Sequence, residues 1–425
     1  MLLQGARQVG KTYTISEFGK KEYKNFIYLN FEQTPDLSTI FNTDLSPDNI
    51  IQNISLYIGK KIHSENTLIF FDEIQECPKA ISSLKYFCEQ AQEFHVIAAG
   101  SLLGVSVGLK NSFPVGKVNF MTLYPLNYEE YLLANKEDLL VDKLKNIKEI
   151  ETFPEIIHIK LINYLKTYLF TGGMPEVVQN YINNKNIKTV REIQNEILEA
   201  YKRDFSKYTN SGDTVRITEL WSSIPSQLSR ENKKFKYNEV KKNARASQYL
   251  QTIVWLKNAG LVHLAYNVTS PKLPLSGYSD KTKFKIFLLD TGLLGAMLNL
   301  SSANIIEPNK LFTEYKGAFI ENYVACELKK LRENELYYWT SKSDAEVDFL
   351  IEDHDEIYPV EVKSGLSRNK KSLLSYKNKY NPKLIFRTSP RNYKQQDNFI
   401  NIPLYGISFF LFKETSKSLL NTESQ

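Results

Sequence analysis

Gly5-Ala6-Arg7-Gln8-Val9-Gly10-Lys11-Thr12 is a run near the start of this 425-residue chain from which its N-terminal architecture can be predicted. It fits the pattern G-x-x-x-x-G-K-[S/T], whose glycines let backbone N–H groups curl around phosphates while the next helix directs its positive end at the anion. In that pattern Lys11 reaches the β- and γ-phosphates, and the Thr12 hydroxyl ligates Mg²⁺. The apolar residues before Gly5 favour a strand and those from Tyr13 onward favour a helix. The sequence therefore predicts a strand–loop–helix unit that binds a nucleotide.

A second strand pattern, from Thr67 to Glu73, supports this interpretation. It is a continuous apolar run that ends in two acids, as expected of a buried parallel strand. We expect Asp72, at the tip of the strand, to hold Mg²⁺, and Glu73 to orient and polarise the attacking water. Taken alone, such a run is a buried strand with a polar end, but the phosphate loop upstream favours the functional interpretation.

A third strand is predicted from His95 to Ser101, and its final hydroxyl is placed to hydrogen-bond the γ-phosphate or the water. Strand and helix patterns at residues 26–31 and 79–92 complete an alternation that predicts an α/β fold with a parallel sheet and the ligand at its carboxyl edge. The predicted nucleotide contacts from these segments are Gly5, Ala6, Arg7, Gln8, Val9, Gly10, Lys11, Thr12, Tyr13 and Asp72.

Composition limits the class of protein. The chain is 42% hydrophobic and 24% charged, with 18 Gly and 15 Pro, which excludes a mainly disordered chain, a collagen-like repeat and a disulfide scaffold. Its three cysteines show no metal-ligand spacing and cannot all pair, which favours a reducing compartment. There is no signal-peptide pattern, and no apolar run approaches the ~20 residues of a membrane span. We therefore expect a cytoplasmic protein without a membrane partner.

Positive charge is concentrated in the middle of the chain. Residues 202–290 carry 16 Lys and Arg against 7 Asp and Glu, a net charge of +9 where the whole chain has +6. Helical patterns at 158–207, 216–228, 237–242 and 247–258 precede two strand patterns at 261–266 and 284–289. Leu250, Ile253, Val254 and Leu256 supply the expected apolar face of the last helix. This order predicts a winged helix-turn-helix that contacts DNA phosphates, and the competing interpretation is a protein-docking or lid module.

The C-terminal region combines acids and a lysine in a set order. A helix is predicted over 313–331 with Glu321 beside its apolar stripe, followed by an acidic-turn hairpin over 346–363. If Glu352 pairs with Ile357, then Asp348 lies opposite Glu361, and Lys363 shares their face because strand side chains alternate. The simplest interpretation of such a hairpin is a set of salt bridges on a core-facing sheet.

Three segments resemble the AAA-superfamily ATPases of bacteria and archaea, namely residues 2–12, 70–75 and 99–105. More narrowly, nearly the whole chain resembles a prokaryotic group that joins such an ATPase to a winged-helix region and a C-terminal domain of unknown function, and residues 113–117, 124–131 and 172–176 extend this match. Members of the group usually carry a helical stretch and a full first strand before the phosphate loop, where this sequence has four residues. The resemblance implies ATP as ligand, Ser101 as a polar sensor, and a helical lid in which Pro175 contacts the nucleotide.

The order Glu321, Asp348, Glu361, Lys363 resembles the PD-(D/E)xK nucleases. That resemblance implies a restriction-endonuclease-like α/β domain in which Glu321, Asp348 and Glu361 bind Mg²⁺ or Mn²⁺ and Lys363 positions the attacking water. The expected domains are an ATPase core at 1–135, a helical lid at 136–210, a winged helix-turn-helix at 211–300 and the nuclease-like domain at 301–425.

Two functions follow from these patterns. The leading hypothesis is an ATP-hydrolysing switch that acts on DNA and cleaves it with the C-terminal metal site. The alternative is a non-cleaving signalling or scaffold ATPase whose C-terminal domain binds only DNA or protein. Small-molecule kinase activity is disfavoured because it gives no role to the winged helix or the C-terminal acids. Homo-oligomerisation and a protein partner are both compatible with the sequence.

Overall fold

The structure is a computed structural model that describes residues 1–101, 116–147, 149–209, 211–230, 234–300, 316–341, 345–365 and 371–420. Residues 102–105, 113–115 and 313–315, which belong to segments named above, lie outside this description. The chain divides into two units. The first comprises residues 1–124 and 254–261, and the second comprises residues 125–253 and 262–425.

The first unit is built on a parallel sheet of five strands in the order β2-β3-β4-β1-β5. The strands are β1 (Leu2–Gly5), β2 (Asn25–Asn30), β3 (Thr67–Asp72), β4 (His95–Ser101) and β5 (Phe120–Thr122). The connecting helices are α1 (Lys11–Glu22), α2 (Pro47–Ile58) and α3 (Pro78–Gln90). The predicted α/β architecture with a parallel sheet is confirmed for this unit.

Strand β3 is apolar throughout because both of its faces are covered. All six of its residues are buried. Phe71 packs edge-on against Phe31 and Phe41, with ring centroids 5.8 and 5.7 Å apart, while Phe70 lies 6.2 Å from the Phe26 ring on the other side. Burial on two faces explains why this strand shows no alternation in sequence.

The second unit contains most of the helices. They are α4 (Tyr128–Ala134), α5 (Asp138–Asn146), α6 (Glu155–Thr171), α7 (Pro175–Asn184), α8 (Ile187–Tyr208), α9 (Ser211–Leu228), α11 (Thr291–Met297), α12 (Lys316–Leu331), α13 (Lys371–Tyr380) and α14 (Ile407–Leu420). Helix α10 (Ala246–Asn258) has residues in both units. Within the described residues, no helix is both long enough and apolar enough to cross a membrane.

An eight-stranded mixed sheet organises the second unit, in the order β12-β13-β11-β10-β9-β8-β6-β7. Its strands are β6 (Val262–Val268), β7 (Ser279–Leu288), β8 (Leu336–Thr340), β9 (Glu346–Asp353), β10 (Glu356–Val362), β11 (Ile385–Ser389), β12 (Lys394–Gln396) and β13 (Phe399–Pro403).

The strand pair predicted as the wing belongs to this sheet. Strand β6 pairs antiparallel with β7 and also runs parallel to β8, with Ala265 opposite Leu336. The β6–β7 ribbon is therefore continuous with the C-terminal strands. Residue 300, a predicted domain boundary, falls between strands of this one sheet. Sequence patterns locate strands but not their neighbours, because pairing depends on distant residues. The division into four domains stays a prediction.

Two helix predictions in the basic segment need correction. The predicted helix at 237–242 is only a short 3₁₀ turn, Tyr237–Glu239. In α10, Leu250 and Val254 are 53% and 46% exposed, whereas Tyr249 is buried beside Ile253 and Leu256. The buried stripe thus includes an aromatic residue that the predicted apolar face omitted, and two aliphatic residues of that face lie outside it.

The hairpin β9–β10 has the predicted register, with Glu352 opposite Ile357. The strands continue one pair further, to Asp353 opposite Glu356, so the turn contains only His354 and Asp355. Both turn residues have positive φ, 49° and 59°, as two-residue hairpin turns of type I′ require.

Candidate functional site

The phosphate-loop sequence forms a tight turn between β1 and α1. Gln8 and Gly10 adopt positive φ values of 64° and 95°, and α1 begins directly after Gly10 at Lys11. A Cβ on Gly5 would lie 2.4 Å from the backbone oxygen of Leu123, so only glycine fits there. The motif glycines thus have steric reasons in this chain, one for close approach and one for a left-handed backbone.

Lys11 is buried against the loop. Its Nζ donates hydrogen bonds to the backbone oxygens of Gly5 and Ala6, at 3.1 and 2.8 Å. Burial lowers the pKa of Lys11 to about 8, although the carboxylates of Glu73 and Asp72 favour its charged form. The ammonium is therefore held inside the loop, and an anion there would favour its charged form.

Thr12 and Asp72 meet at the carboxyl edge of the sheet. The Thr12 hydroxyl donates to Asp72 Oδ2 at 2.9 Å, and Asp72 is only 3% exposed. A hydroxyl and a carboxylate in contact are oxygen donors of the kind that Mg²⁺ selects. These two predicted metal ligands fit a magnesium ion bound next to the loop.

Glu73 follows in a left-handed backbone conformation, with φ 49°. Its Oε2 accepts a hydrogen bond from Gln75, and its backbone N–H donates to Asp72 Oδ1 at 3.1 Å. A positive φ is unfavourable for a side chain like glutamate, and such strain concentrates at functional sites.

Ser101 lies beside the loop because β4 is the neighbour of β1. It is paired with Gly5 across the two strands. Of the other predicted contacts, Arg7 forms an ion pair with Glu32 at 3.7 Å and Tyr13 is 73% exposed. Pro175, the first residue of α7, belongs to the second unit.

Sequence reasoning missed two residues at this edge. Tyr28 donates from its hydroxyl to Asp72 Oδ2 at 2.9 Å, and Asn30 donates to the Tyr28 hydroxyl at 2.9 Å. Both come from β2, whose last residue, Asn30, pairs with Asp72. The available signal was a polar residue at the end of a predicted parallel strand, since all such ends share one edge.

The C-terminal carboxylates surround a lysine that the sequence patterns did not single out. Lys285 of β7 is fully buried, and its Nζ lies 3.7 Å from Glu321 and 3.8 Å from Asp348. It also forms an ion pair with Glu346. Burial alone would lower the pKa of Lys285, but these three carboxylates raise it. A lone lysine between apolar residues, Phe284 and Ile286, was the available signal, because such a charge needs buried partners.

Glu361 is held by two other cations. Its Oε1 lies 3.0 Å from Lys363 Nζ, and its Oε2 accepts from Arg387 of β11 at 3.2 Å. Asp348 instead accepts a hydrogen bond from the backbone N–H of Val362 at 2.8 Å. Across the part of the chain that is described, no group of three or more His, Cys, Asp or Glu side chains is arranged to hold a metal ion.

Comparison with protein-family models divides the chain into three matched regions. Residues 1–132 match an AAA domain. The N-terminal region is therefore similar to an AAA domain. Residues 162–304 match a domain of unknown function (DUF8612), and residues 316–406 match another (DUF4143). Residues 162–304 include most of the predicted lid and all of the predicted winged helix. Neither description assigns an activity to the part of the chain that follows the AAA domain.

Sequence similarity to other proteins extends beyond the AAA domain. An uncharacterised protein of Methanocaldococcus jannaschii is 27% identical over 365 residues, which cover 82% of this chain and 71% of the relative. An uncharacterised protein of Mycobacterium tuberculosis is 35% identical over 103 residues, 23% of this chain and 22% of that protein.

Solved structures show weaker similarity. The Walker-type ATPase of Pyrococcus abyssi is 12% identical, with 70% of this chain and 90% of that chain covered and a TM-score of 0.44. The ORC2 protein of Aeropyrum pernix, solved in ADPNP and ADP complexes, is 15% identical, with 70% and 86% covered and a TM-score of 0.34.

Proposed function

We propose that this protein is a molecular switch that binds ATP with Mg²⁺ and hydrolyses it at the carboxyl edge of the first sheet. The observation that carries the proposal is the contact between Thr12 and Asp72 at 2.9 Å, beside a loop whose backbone encloses Lys11. The match of residues 1–132 to an AAA domain supports the same chemistry.

Each residue has a defined task in this proposal. The loop N–H groups and Lys11 bind the β- and γ-phosphates, and Thr12 and Asp72 hold the metal. When bound, Mg²⁺ neutralises charge that develops on the phosphate oxygens. Glu73 orients the attacking water, and Ser101 hydrogen-bonds the γ-phosphate or that water. Tyr28 fixes the Asp72 carboxylate through its hydroxyl.

Two substitutions test the assignment. Glu73→Gln should keep ATP affinity within about threefold and lower turnover by about 10²-fold or more, since it removes only the group that orients water. Lys11→Ala should abolish measurable ATP affinity. Phosphate release and binding of a fluorescent ATP analogue measure both quantities. Undiminished turnover in Glu73→Gln would show that another residue orients the water.

For the C-terminal region we favour the non-cleaving function over DNA cleavage. The observation behind this choice is that the predicted metal ligands already face internal cations, Lys285 for Glu321 and Asp348, and Lys363 with Arg387 for Glu361. A metal would have to compete with these buried ion pairs for the same oxygens. The carboxylates in this arrangement stabilise the sheet instead.

Cleavage assays test this choice. A plasmid and an oligonucleotide are incubated with Mg²⁺ or Mn²⁺, with and without ATP. We expect no cleavage above that of the Glu361→Ala protein. Cleavage by the natural chain that disappears in both Glu361→Ala and Lys363→Ala would establish the nuclease function instead.

We also propose that the switch contacts DNA through the segment before α10. Lys236, Lys242 and Arg245 are exposed there. Lys241 pairs with Glu219 at 2.8 Å, and Arg230 pairs with Glu239, so part of the local positive charge is balanced. The exposed cations supply a surface for phosphate backbones.

A further inference from the structure

A row of polar side chains crosses one face of the second sheet. Glu361 on β10 pairs with Arg387 on β11, Arg387 pairs with Asn401 on β13, and Asn401 pairs with Lys394 on β12. Residues that are opposite each other on neighbouring strands project from the same face. The row therefore leads from a buried carboxylate to a lysine on the edge strand.

A cavity of about 560 Å³ lies over the outer part of this row. Arg387, Asn401 and Lys394 contribute to its wall, together with Arg391 from the turn after β11 and Thr152 from the segment before α6. Asn392 ties these two segments together, because its side chain accepts from Phe153 N at 3.1 Å and donates to Phe153 O at 2.7 Å. The wall is thus fixed by hydrogen bonds rather than formed by a loose loop.

The charged side chains in the wall of the cavity are all positive. Three cations line it, Arg387, Arg391 and Lys394, and no carboxylate is among the described residues of its wall. The nearest acid in the row, Glu361, contacts Lys363 as well as Arg387, so one negative charge is shared by two positive ones. The excess of positive charge favours an anionic ligand.

Arg387 is suited to anchor such a ligand. It is 4% exposed, is bonded to Glu361 on one side, and lies 5.2 Å over the Phe399 ring on the other. A guanidinium held in this way is already oriented, and its planar set of donors matches phosphate oxygens. Arg391 and Lys394 approach from the rim, where a ligand enters.

We propose that this cavity binds a phosphate monoester group. Its volume lies within the range of about 300–1,000 Å³ that small-molecule sites occupy, and its cations come from a buried strand, a turn and an edge strand that converge on one space. The phosphate belongs either to a free small molecule or to the 5′ end of a nucleic acid. The site is separate from the phosphate loop and does not depend on the ATPase proposal.

Titration calorimetry with inorganic phosphate tests the proposal in the full chain. The Lys11→Ala background removes the contribution of the phosphate loop. In that background we expect Arg391→Gln to weaken phosphate binding by at least about fivefold, because it removes one charge-assisted hydrogen-bond donor. Arg216→Gln, which removes an exposed arginine of α9 paired with Asp213, should leave it unchanged. Thermal unfolding verifies that each variant is folded.

A second titration identifies the source of the phosphate. A short oligonucleotide with a 5′-phosphate is compared with the same oligonucleotide ending in a 5′-hydroxyl. A gain from the 5′-phosphate that Arg391→Gln removes identifies a nucleic-acid end, whereas no gain alongside retained inorganic-phosphate binding identifies a small phosphorylated molecule. Equal phosphate affinity in Lys11→Ala with and without Arg391→Gln, or no phosphate binding at all, overturns the proposal.

Discussion

Lys11 shows how a single residue prepares the proposed nucleotide site. It combines an ammonium with burial inside a loop of backbone carbonyls, at 3.1 and 2.8 Å. The burial that lowers its pKa to about 8 also makes it sensitive to an added anion. A phosphate next to the ammonium favours the charged form and raises this pKa again.

Nucleotide binding should therefore take up protons near pH 8. About half of the Lys11 side chains are neutral at that pH before binding, so we expect an uptake of about half a proton per nucleotide bound. At pH 6.5 Lys11 is already charged, and this contribution should vanish. Calorimetry of ADP binding in buffers of different ionisation enthalpy measures the uptake. The same value at both pH values would contradict the predicted state of Lys11.

Gly173, in the turn between α6 and α7, is as tightly enclosed by backbone atoms as Gly5. A Cβ there would lie 2.0 Å from the backbone oxygen of Leu126. Its N–H donates to Asp290 Oδ2 at 2.6 Å, and its carbonyl accepts from Leu126 N at 2.7 Å. Asp290 also caps α11 through Leu293 N at 2.9 Å, so this turn joins three parts of the second unit.

We expect Gly173→Ala to destabilise the second unit by about 3 kcal/mol or more, because the backbone must shift to admit the methyl group. Gly277→Ala is the matched control, since the nearest atom to its added Cβ is 4.0 Å away. Urea unfolding followed by tryptophan fluorescence compares the two. Equal unfolding midpoints would show that the turn can relax around the methyl group.

At the scale of elements, the position of β7 changes the meaning of the C-terminal acids. Because β7 lies at the edge of the second sheet and packs against α12, Lys285 reaches Glu321 from that helix and two carboxylates from β9. Strand β7 therefore supplies the cation for three carboxylates from which it is distant in sequence.

Lys285→Met should cost about 3–5 kcal/mol of unfolding free energy, since it leaves the buried Glu321 carboxylate and two partly buried carboxylates without their cation. Lys283→Met, two residues earlier and 44% exposed, should cost less than about 1 kcal/mol. Adding Glu346→Gln to Lys285→Met should recover part of the loss. Additive effects in this double-mutant cycle would show that the two side chains are not coupled.

At the scale of the whole molecule, the chain is only mildly basic, and its positive charge is local. Residues 202–290 have a net charge of +9, and all other residues together have −3. Attraction to a phosphate backbone should therefore depend on this segment and decline with salt. The structure adds that Lys242 and Arg245 are exposed.

The substitution of Lys242 and Arg245 by Gln should weaken DNA binding and reduce the slope of log K against log salt by about 2, roughly one for each phosphate that the protein no longer neutralises. Lys20 and Lys21, exposed on α1, provide a control pair with the same change in charge. Fluorescence anisotropy of a labelled duplex at several salt concentrations measures the slope. An equal reduction in both pairs would indicate a general charge effect instead of a binding surface.

The placement of the residues of the proposed nucleotide site could be predicted from sequence because its parts are local. Residues 5–12 are contiguous and connect the end of β1 to the start of α1, and Asp72 and Ser101 end recognisable strands whose carboxyl ends must share an edge in a parallel sheet. The hairpin register was equally local, since a two-residue turn fixes which residues of its strands are opposite.

Tertiary structure alone decided how the remaining polar residues are paired. Lys285 meets carboxylates 36 to 63 positions away, and Arg387 reaches Glu361 across neighbouring parallel strands. The addition of the β6–β7 ribbon to the C-terminal sheet also depends on a non-local pairing. A sequence pattern records which side chains must be buried, but the partner of a buried charge is set by strand order, which distant contacts determine.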